Sequence, residues 1–483
     1  RVVINKDVCE GCGDCSVQSN CVSIEPLETE LGRKRKINQS NCNKDYSCIK
    51  GFCPSFVTVD AEIKNNTGFK DLGELPEPQF KTNQDINNIM LTGIGGTGVL
   101  TISAILAYAA HYEGKDASVL DMTGLAQKGG AVWSHIKIFE KNNKPYSQKI
   151  APGAANVLLA CDGVVGTKPE IQEVISKEKT IAVLNSNTIP VADFITQRDI
   201  DFKNNDVFQM LENTTNTIIS SVPAINISEK LSGDAIGTNM LMLGSAYQNG
   251  LIPLKAENIF KAIELNGIGI ERNIYNFNLG RLYTINPNHE IFSFLAENEV
   301  LNLNSIELFE DRLKRIENYD QRVVDDFIKD KNTIDQILSE EADTENITKE
   351  AIKELYRVYA IKDEYEVARM HLESTSKILD NTFTAWNNLK FYLSPPIISF
   401  IKDKRTQRPI KIAIPGYIAL PIFKILKSMK FLRGTIFDPL NLTEDRRRDK
   451  EHKAIFRNKL GEISNLITGV KTVSYTHLRA HET

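Results

Sequence analysis

The chain has few histidines, two tryptophans and little net charge, and most of its length is almost without cysteine. The formal charge of −4 at pH 7 gives no global attraction for nucleic acid or an acidic membrane surface. No apolar stretch reaches the roughly 18 residues that read as a membrane span. No repeat period and no low-complexity tract is present. No secretory signal opens the sequence, and no methionine does either, so Arg1 is expected to follow an upstream segment. Of the 8 cysteines, all but Cys161 lie between Cys9 and Cys53. An odd, crowded set beside a long cysteine-poor remainder argues against a disulfide framework. It points to a metal-binding unit in a reducing cytoplasm.

The far end adds nothing to a metal argument. Residues 473–483, "VSYTHLRAHET", read as translated sequencing-adapter sequence and are set aside from the fold, with His477 and His481. Between the ends, 483 residues allow about three domains. Residues 1–60 are cysteine-rich with short β-prone runs. Residues 61–84 are polar, carry Pro76 and Pro78, and read as a linker. From 85 to 290, strand-like runs such as "NIMLTGI", "DASVLDM", "AVWSHIKIF" and "NVLLACDG" alternate with helical periods closed by glycine. That alternation predicts a Rossmann-like α/β domain with a mostly parallel sheet. Residues 291–472 are charged and amphipathic and predict a mainly α-helical C-terminal domain. The whole is an α/β multidomain chain.

The cysteine spacing is the most specific signal. Cys9-x2-Cys12-x2-Cys15 lets three thiolates reach three corners of one iron–sulfur cubane from a single loop, with Gly11 and Gly13 relieving the turn. In a bacterial two-cluster ferredoxin a further cysteine ligates the other cluster. Here that role falls to Cys21, after five residues rather than three. The second half mirrors the first: Cys42, position 45, Cys48, then Cys53-Pro54. Exchanging fourth ligands assigns one 4Fe-4S cluster to Cys9, Cys12, Cys15 and Cys53, and a second to Cys42, Asp45, Cys48 and Cys21. Asp45 stands where a cysteine is wanted, as in some ferredoxins. An oxygen ligand holds iron less firmly than thiolate, so the second cluster could lose an iron and become 3Fe-4S. The bland alternative leaves Asp45 as a solvated loop residue and only the first cluster formed. Zinc, which prefers pairs of C-x2–4-C, fits the triplet less well. The basic run Gly32–Lys36 reads as a solvated β-turn, or as a dock for an acidic ferredoxin.

"GIGGTG", with Gly93, Gly95, Gly96 and Gly98, is a G-x-G-x-x-G loop between a predicted strand and helix. Such a loop permits close backbone approach to a phosphate. Asp121, at the end of the next predicted strand, keeps a nicotinamide or flavin reading open. Gln127, Lys128, Gly129 and Gly130 could form an anion-binding nest.

"GIGGTGV", "GLAQKGGAVWSHIKI" and "AIELNGIGIERNIYNFNLGR" together resemble the gamma domain of 2-oxoacid:ferredoxin oxidoreductases. The order of ferredoxin module, gamma domain and a tail with "KDEYEVARMH", "LSPP" and "LRGTIFDPLNLTEDRRR" resembles the C-terminal half of fused indolepyruvate ferredoxin oxidoreductases, over residues 1 to 470. The resemblance implies oxidative decarboxylation of a 2-oxoacid to an acyl-CoA, with electrons passed to ferredoxin. Thiamine diphosphate and magnesium would belong to an upstream half, since no G-D-G with a distant N-N is found here. The fragment alone is expected to be inactive and to belong to a homo-oligomer. The glycine loop with Gln127–Gly130 would face the cofactor and substrate region or the CoA phosphates. The rivals are a dinucleotide-dependent iron–sulfur subunit and a non-catalytic electron-carrier or adaptor protein. Elsewhere, His135 and Cys161 read as packing residues. Arg446 to Arg448 read as a solvated helix face, and Asp363 to Arg369 as intrahelical pairs.

Overall fold

The computed structural model describes residues 1–64, 69–81, 85–96, 98–124, 130–187, 204–297, 303–338, 344–394, 401–402, 409–441 and 444–481. The cysteine-rich segment forms β1 (Val2–Ile4), α1 (Asp14–Ser19), β2 (Ile24–Leu27), β3 (Lys34–Ile37) and β4 (Phe56–Ile63). The central strands are β5 (Ile86–Ile94), β6 (Asp116–Thr123), β7 (Ala131–Phe139), β8 (Val157–Ala160), β9 (Ile181–Asn185) and β10 (Thr217–Val222). Its longer helices are α2 (Val99–Tyr112), α3 (Asn204–Thr214), α4 (Ala224–Ser232), α5 (Thr238–Gln248), α6 (Ala256–Asn266) and α7 (Ile270–Ile285).

The central sheet has six strands in the order β10-β9-β8-β5-β7-β6. β10, β9, β8 and β5 run parallel, as alternation with helices predicts. β7 is antiparallel to both β5 and β6, so the sheet is mixed. The direct connection from β6 to β7 is what inserts β7 between β5 and β6. One face of the sheet packs α2, α5, α6 and α7 around Ile89, Leu91, Ile105, Leu243 and Phe277. The other packs α3 through Leu211 against Met90, Leu158 and Leu184. α5 and α7 cross at two glycines: a Cβ on Gly280 would stand 1.9 Å from the Leu241 carbonyl oxygen. The "NFNLGR" stretch therefore has a packing reason.

Within the polar segment before β5, residues 69–81 lie against the central domain. Phe69, Leu72 and Leu75 pack on the central core, and the Phe69 ring lies 4.5 Å from that of Tyr275. Arg281 donates to the carbonyls of Leu75 (3.2 Å) and Pro76 (3.0 Å). Three apolar residues in a polar stretch suffice to lay it along α5 and α7 as a strap.

The C-terminal segment contains α8 (Ser305–Tyr319), α9 (Val324–Leu338), α10 (Thr344–Tyr359), α11 (Glu364–Thr382), α12 (Gly416–Ser428) and α13 (Glu444–His481). It also contains two strands that helical periodicity does not predict, β11 (Phe383–Leu393) and β12 (Ile412–Pro415). These complete a four-stranded antiparallel sheet with the N-terminal module, in the order β1-β4-β11-β12. Strand alternation splits its side chains cleanly. Val3, Val57, Val59, Phe383 and Phe391 face α11 and α12. Val2, Ile4 and Phe56 face the cysteines.

Phe391 is fully buried in this junction, beside His371 and Phe423. Phe391→Ala is expected to cost about 3–5 kcal/mol and to lower the melting temperature together with protease resistance of residues 1–63. A melt unchanged from the parent protein would contradict the shared core.

Candidate metal centres and the glycine-rich loop

The cysteine loop folds tightly because Gly11 and Gly13 take left-handed backbone, each with φ of 71°. A Cβ on Gly11 would stand 2.0 Å from the Arg33 carbonyl oxygen, so the loop lies directly on the start of β3. Cys9, Cys15 and Cys48 are buried around Val2, Ile4, Ile24, Ile37 and Phe56, with Cys21, Cys42 and Cys53 packed at the margin. Cys12 is exposed.

The thiols fall into two electrostatic groups. Cys53 acts on Cys9, Cys12 and Cys15, and burial with these neighbours pushes Cys15 up to about 12. Cys21, Cys42 and Asp45 act on Cys48, where burial and those charges likewise push the thiol up to about 12. Among the described residues, no three His, Cys, Asp or Glu side chains converge on one metal ion. A cubane does not ask for that, since it spreads its ligands over separate irons. Crowded, half-buried thiols that oppose one another's ionisation suit a donor set sharing a cationic cluster core, and the residues present fit such a group. Asp45 is exposed, and its Oδ1 accepts from the Ser47 amide (3.0 Å) and hydroxyl (2.9 Å). Those bonds hold its carboxyl below the usual range.

The basic run is not a wholly solvated turn, since it runs into β3. Lys34 and Arg35 are buried in β3. Arg35 lies near Cys15, Cys9 and Cys12, and its amide donates to the Cys9 thiol, as does that of Gly11 at 3.3 Å. Lys36 pairs with Glu25 (3.3 Å) and reaches Glu229 of α4 (3.7 Å), tying the module to the central domain. Arg33 pairs with nearby Glu28, but the thiols beside Arg35 and Glu229 beside Lys36 come from other segments, and composition alone does not reveal them.

Three side chains that sequence reasoning passed over reach the module from the C-terminal segment. Lys362 donates to the Cys9 carbonyl (3.0 Å) and pairs with Glu10 (2.9 Å). Lys411 donates to the carbonyls of Cys53 (2.6 Å) and Ile49 (3.2 Å). His371 Nε2 lies 3.0 Å from the Pro54 carbonyl, which can only accept, so Nε2 carries the proton. Nδ1 then accepts from Thr375 (3.0 Å). "KDEYEVARMH" holds two of the three, but nothing in its local pattern signals a target in the first 60 residues. Arg446, expected on a solvated face, instead pairs with Asp363 (2.7 Å) and Glu364 (2.8 Å); Arg447 and Arg448 are exposed.

In the glycine loop, Gly93 stands one residue before the end of β5, opposite Val132; Gly96 has φ of 89°, and Gly98 caps α2 with φ of 93°. The Gly95 amide donates to the Gly130 carbonyl (2.7 Å), so the structure joins this loop to the start of β7. Gln127, Lys128 and Gly129 lie outside the described residues. Gly96 lines a crevice against Glu25, Asn38 and Asn41 of the cysteine module, together with Cys161 and Asn239. Its ≈30 Å³ has room for a water or two. The acid that the dinucleotide reading invokes is set apart from the loop. Asp121 Oδ1 accepts from Ser103 (3.0 Å) and Ser134 (2.5 Å), and β7 stands between its strand and the loop. His135 and Cys161 are buried packing residues; His135 Nδ1 accepts from the Ile150 amide (3.3 Å). The Asp162 carboxylate caps the following helical turn at the Val165 amide (2.8 Å).

Residues 88–283 match the pyruvate ferredoxin/flavodoxin oxidoreductase family, and residues 307–478 match a family of unknown function, DUF6537. Over the first of these segments the chain is similar to the 2-oxoacid:ferredoxin oxidoreductases. Among its relatives is indolepyruvate oxidoreductase subunit IorB of Archaeoglobus fulgidus, 28% identical over 36% of this chain and 83% of the relative. The Pyrococcus horikoshii subunit of the same name is 25% identical over 40% and 93%. A solved pyruvate oxidoreductase subunit PORC of Thermotoga maritima is 19% identical over 41% of this chain and 96% of its own, with a TM-score of 0.28 that carries no argument by itself. No helix among the described residues is long and apolar enough to cross a membrane.

Burial holds the pKa of His371 down at about 4, against 6.5 in an unfolded chain. The unfolded state therefore binds the extra proton between those values. The stability from this contact is complete above pH 6.5 and is lost as pH falls toward 4, about 3 kcal/mol in all. Urea midpoints at pH 7 and 4.5 should differ less in His371→Gln than in the parent protein; equal pH dependence in the two would contradict the assignment.

Proposed function

We propose that this chain is the electron-transfer and gamma-domain portion of an indolepyruvate, or related arylpyruvate, 2-oxoacid:ferredoxin oxidoreductase. The observation that carries the reading is the sorting of eight candidate ligands into two groups beside a gamma-type α/β domain. The name shared by the IorB relatives favours indolepyruvate. Cys9, Cys12, Cys15 and Cys53 would hold one 4Fe-4S cluster; Cys21, Cys42, Cys48 and Asp45 would hold a second, as 4Fe-4S or 3Fe-4S. Such clusters accept and pass on single electrons. The chain's own residues do the rest. Gly11 and Gly13 shape the loop, buried apolar side chains exclude water, and Arg35 with the Gly11 amide supports the Cys9 sulfur.

Thiamine diphosphate, magnesium and decarboxylation would lie with an upstream region or separate subunit, CoA would be the acyl acceptor, and ferredoxin would take the electrons. Gly93–Gly98 and Gly130, brought together by the Gly95 bond, would form part of the wall facing that region, with Gln127, Lys128 and Gly129 beside them. A homo-oligomer in the cytoplasm is the proposed setting.

Anaerobic reconstitution with iron and sulfide should give a brown protein carrying close to two clusters. Asp45→Cys should retain iron at the second site at least as well as the parent chain. About four irons per chain, unchanged by Asp45→Ala, would remove the second cluster; a colourless zinc protein would remove both.

A further inference from the structure

The C-terminal segment does more than cover the cysteine module. Three of its side chains bond to backbone carbonyls at or beside the candidate ligands: Lys362 at Cys9, Lys411 at Cys53 and His371 at Pro54. The two lysines differ in one respect. Lys362 is paired with Glu10 at 2.9 Å. Among the described residues no carboxylate pairs with Lys411. Its ammonium bonds to the carbonyls of Ile49 and Cys53 and lies 5.1 Å from the centre of the Phe56 ring. Ile49 follows Cys48 and Cys53 belongs to the first quartet, so the charge sits between the two groups of thiols. Cys53 and Cys15 act on it most strongly, then the carboxylate of Asp14, and Cys48 more weakly.

We infer that the segment matching DUF6537 sets the reduction potential of the iron–sulfur module, and that Lys411 is the positioning residue through which it does so. The inference rests on the cluster reading above. Reduction adds one electron to a group already surrounded by thiolates. A fixed cation in a partly buried site favours the reduced form and raises the potential. The effect is larger at the first quartet, whose Cys53 carbonyl Lys411 holds at 2.6 Å.

The test is an EPR-monitored potentiometric titration of the reconstituted full chain. Lys411→Gln is expected to lower the reduction equilibrium constant of the first-quartet cluster about tenfold, a shift of about 59 mV for one electron. The second-quartet cluster should shift less, and Lys411→Arg should restore the parent value. Full iron content with an unshifted potential in Lys411→Gln overturns the inference and leaves the cluster reading intact. Absence of clusters from the unmutated chain overturns both. Should Lys411→Gln not retain iron, Lys411→Met, which keeps the length of the side chain and removes its charge, is the second variant. A lowered potential there supports the inference, and an unchanged one overturns it.

Discussion

The pairing of β4 with β11 is the contact on which the architecture depends. It joins the strand that follows Cys53 to a strand more than three hundred residues later, and it makes one sheet with two different faces. Strand alternation sends Phe56 toward the cysteines and Val57 toward α11 and α12. The same backbone thus serves as floor for a polar, sulfur-lined loop and as wall for an apolar core. Burying Phe383 and Phe391 on the second face contributes about 2–3 kcal/mol each, and that apolar burial is what fixes Lys411 and His371 against the loop. A hydrophobic junction thereby positions charge.

The tight turn of the cysteine loop was legible because its signal is local: three cysteines spaced by two residues, with Gly11 and Gly13 between them, leave few backbone paths. The strand–loop–helix around Gly93–Gly98 was legible for the same reason. The direction of β7 was not, since apolar periodicity is the same for parallel and antiparallel neighbours. β11 escaped notice because "FTAWNNLKFYL" does not alternate regularly. Its ladder to β4 shifts between Asn387 and Lys390, where Asn388 takes left-handed backbone at φ 51°. The bulge moves side chains off a strict period of two, and the run loses its signature.

The burial of Lys34 and Arg35 teaches a related point. A basic run at a turn looks solvated. Beside Glu25 and Glu28, which pair with Lys36 and Arg33, its counter-charges here are thiols on another loop and Glu229 from a different domain by way of Lys36. Asp121 shows the converse: it stands at the spacing of a ribose-binding acid, but two serine hydroxyls already occupy its oxygen. In both cases long-range partners decided what the local motif left open.

The sheet shared by the two ends also constrains biosynthesis. Thr58 and Tyr392, hydroxyl partners across it, are 334 residues apart. A ribosome delivers β1 and β4 well before β11, so a bare strand edge and its valine-rich face must wait while the residues between are made. Cofactor insertion and chaperone protection would then be timed by the arrival of β11 and β12, whatever the order in which the cysteines themselves emerge.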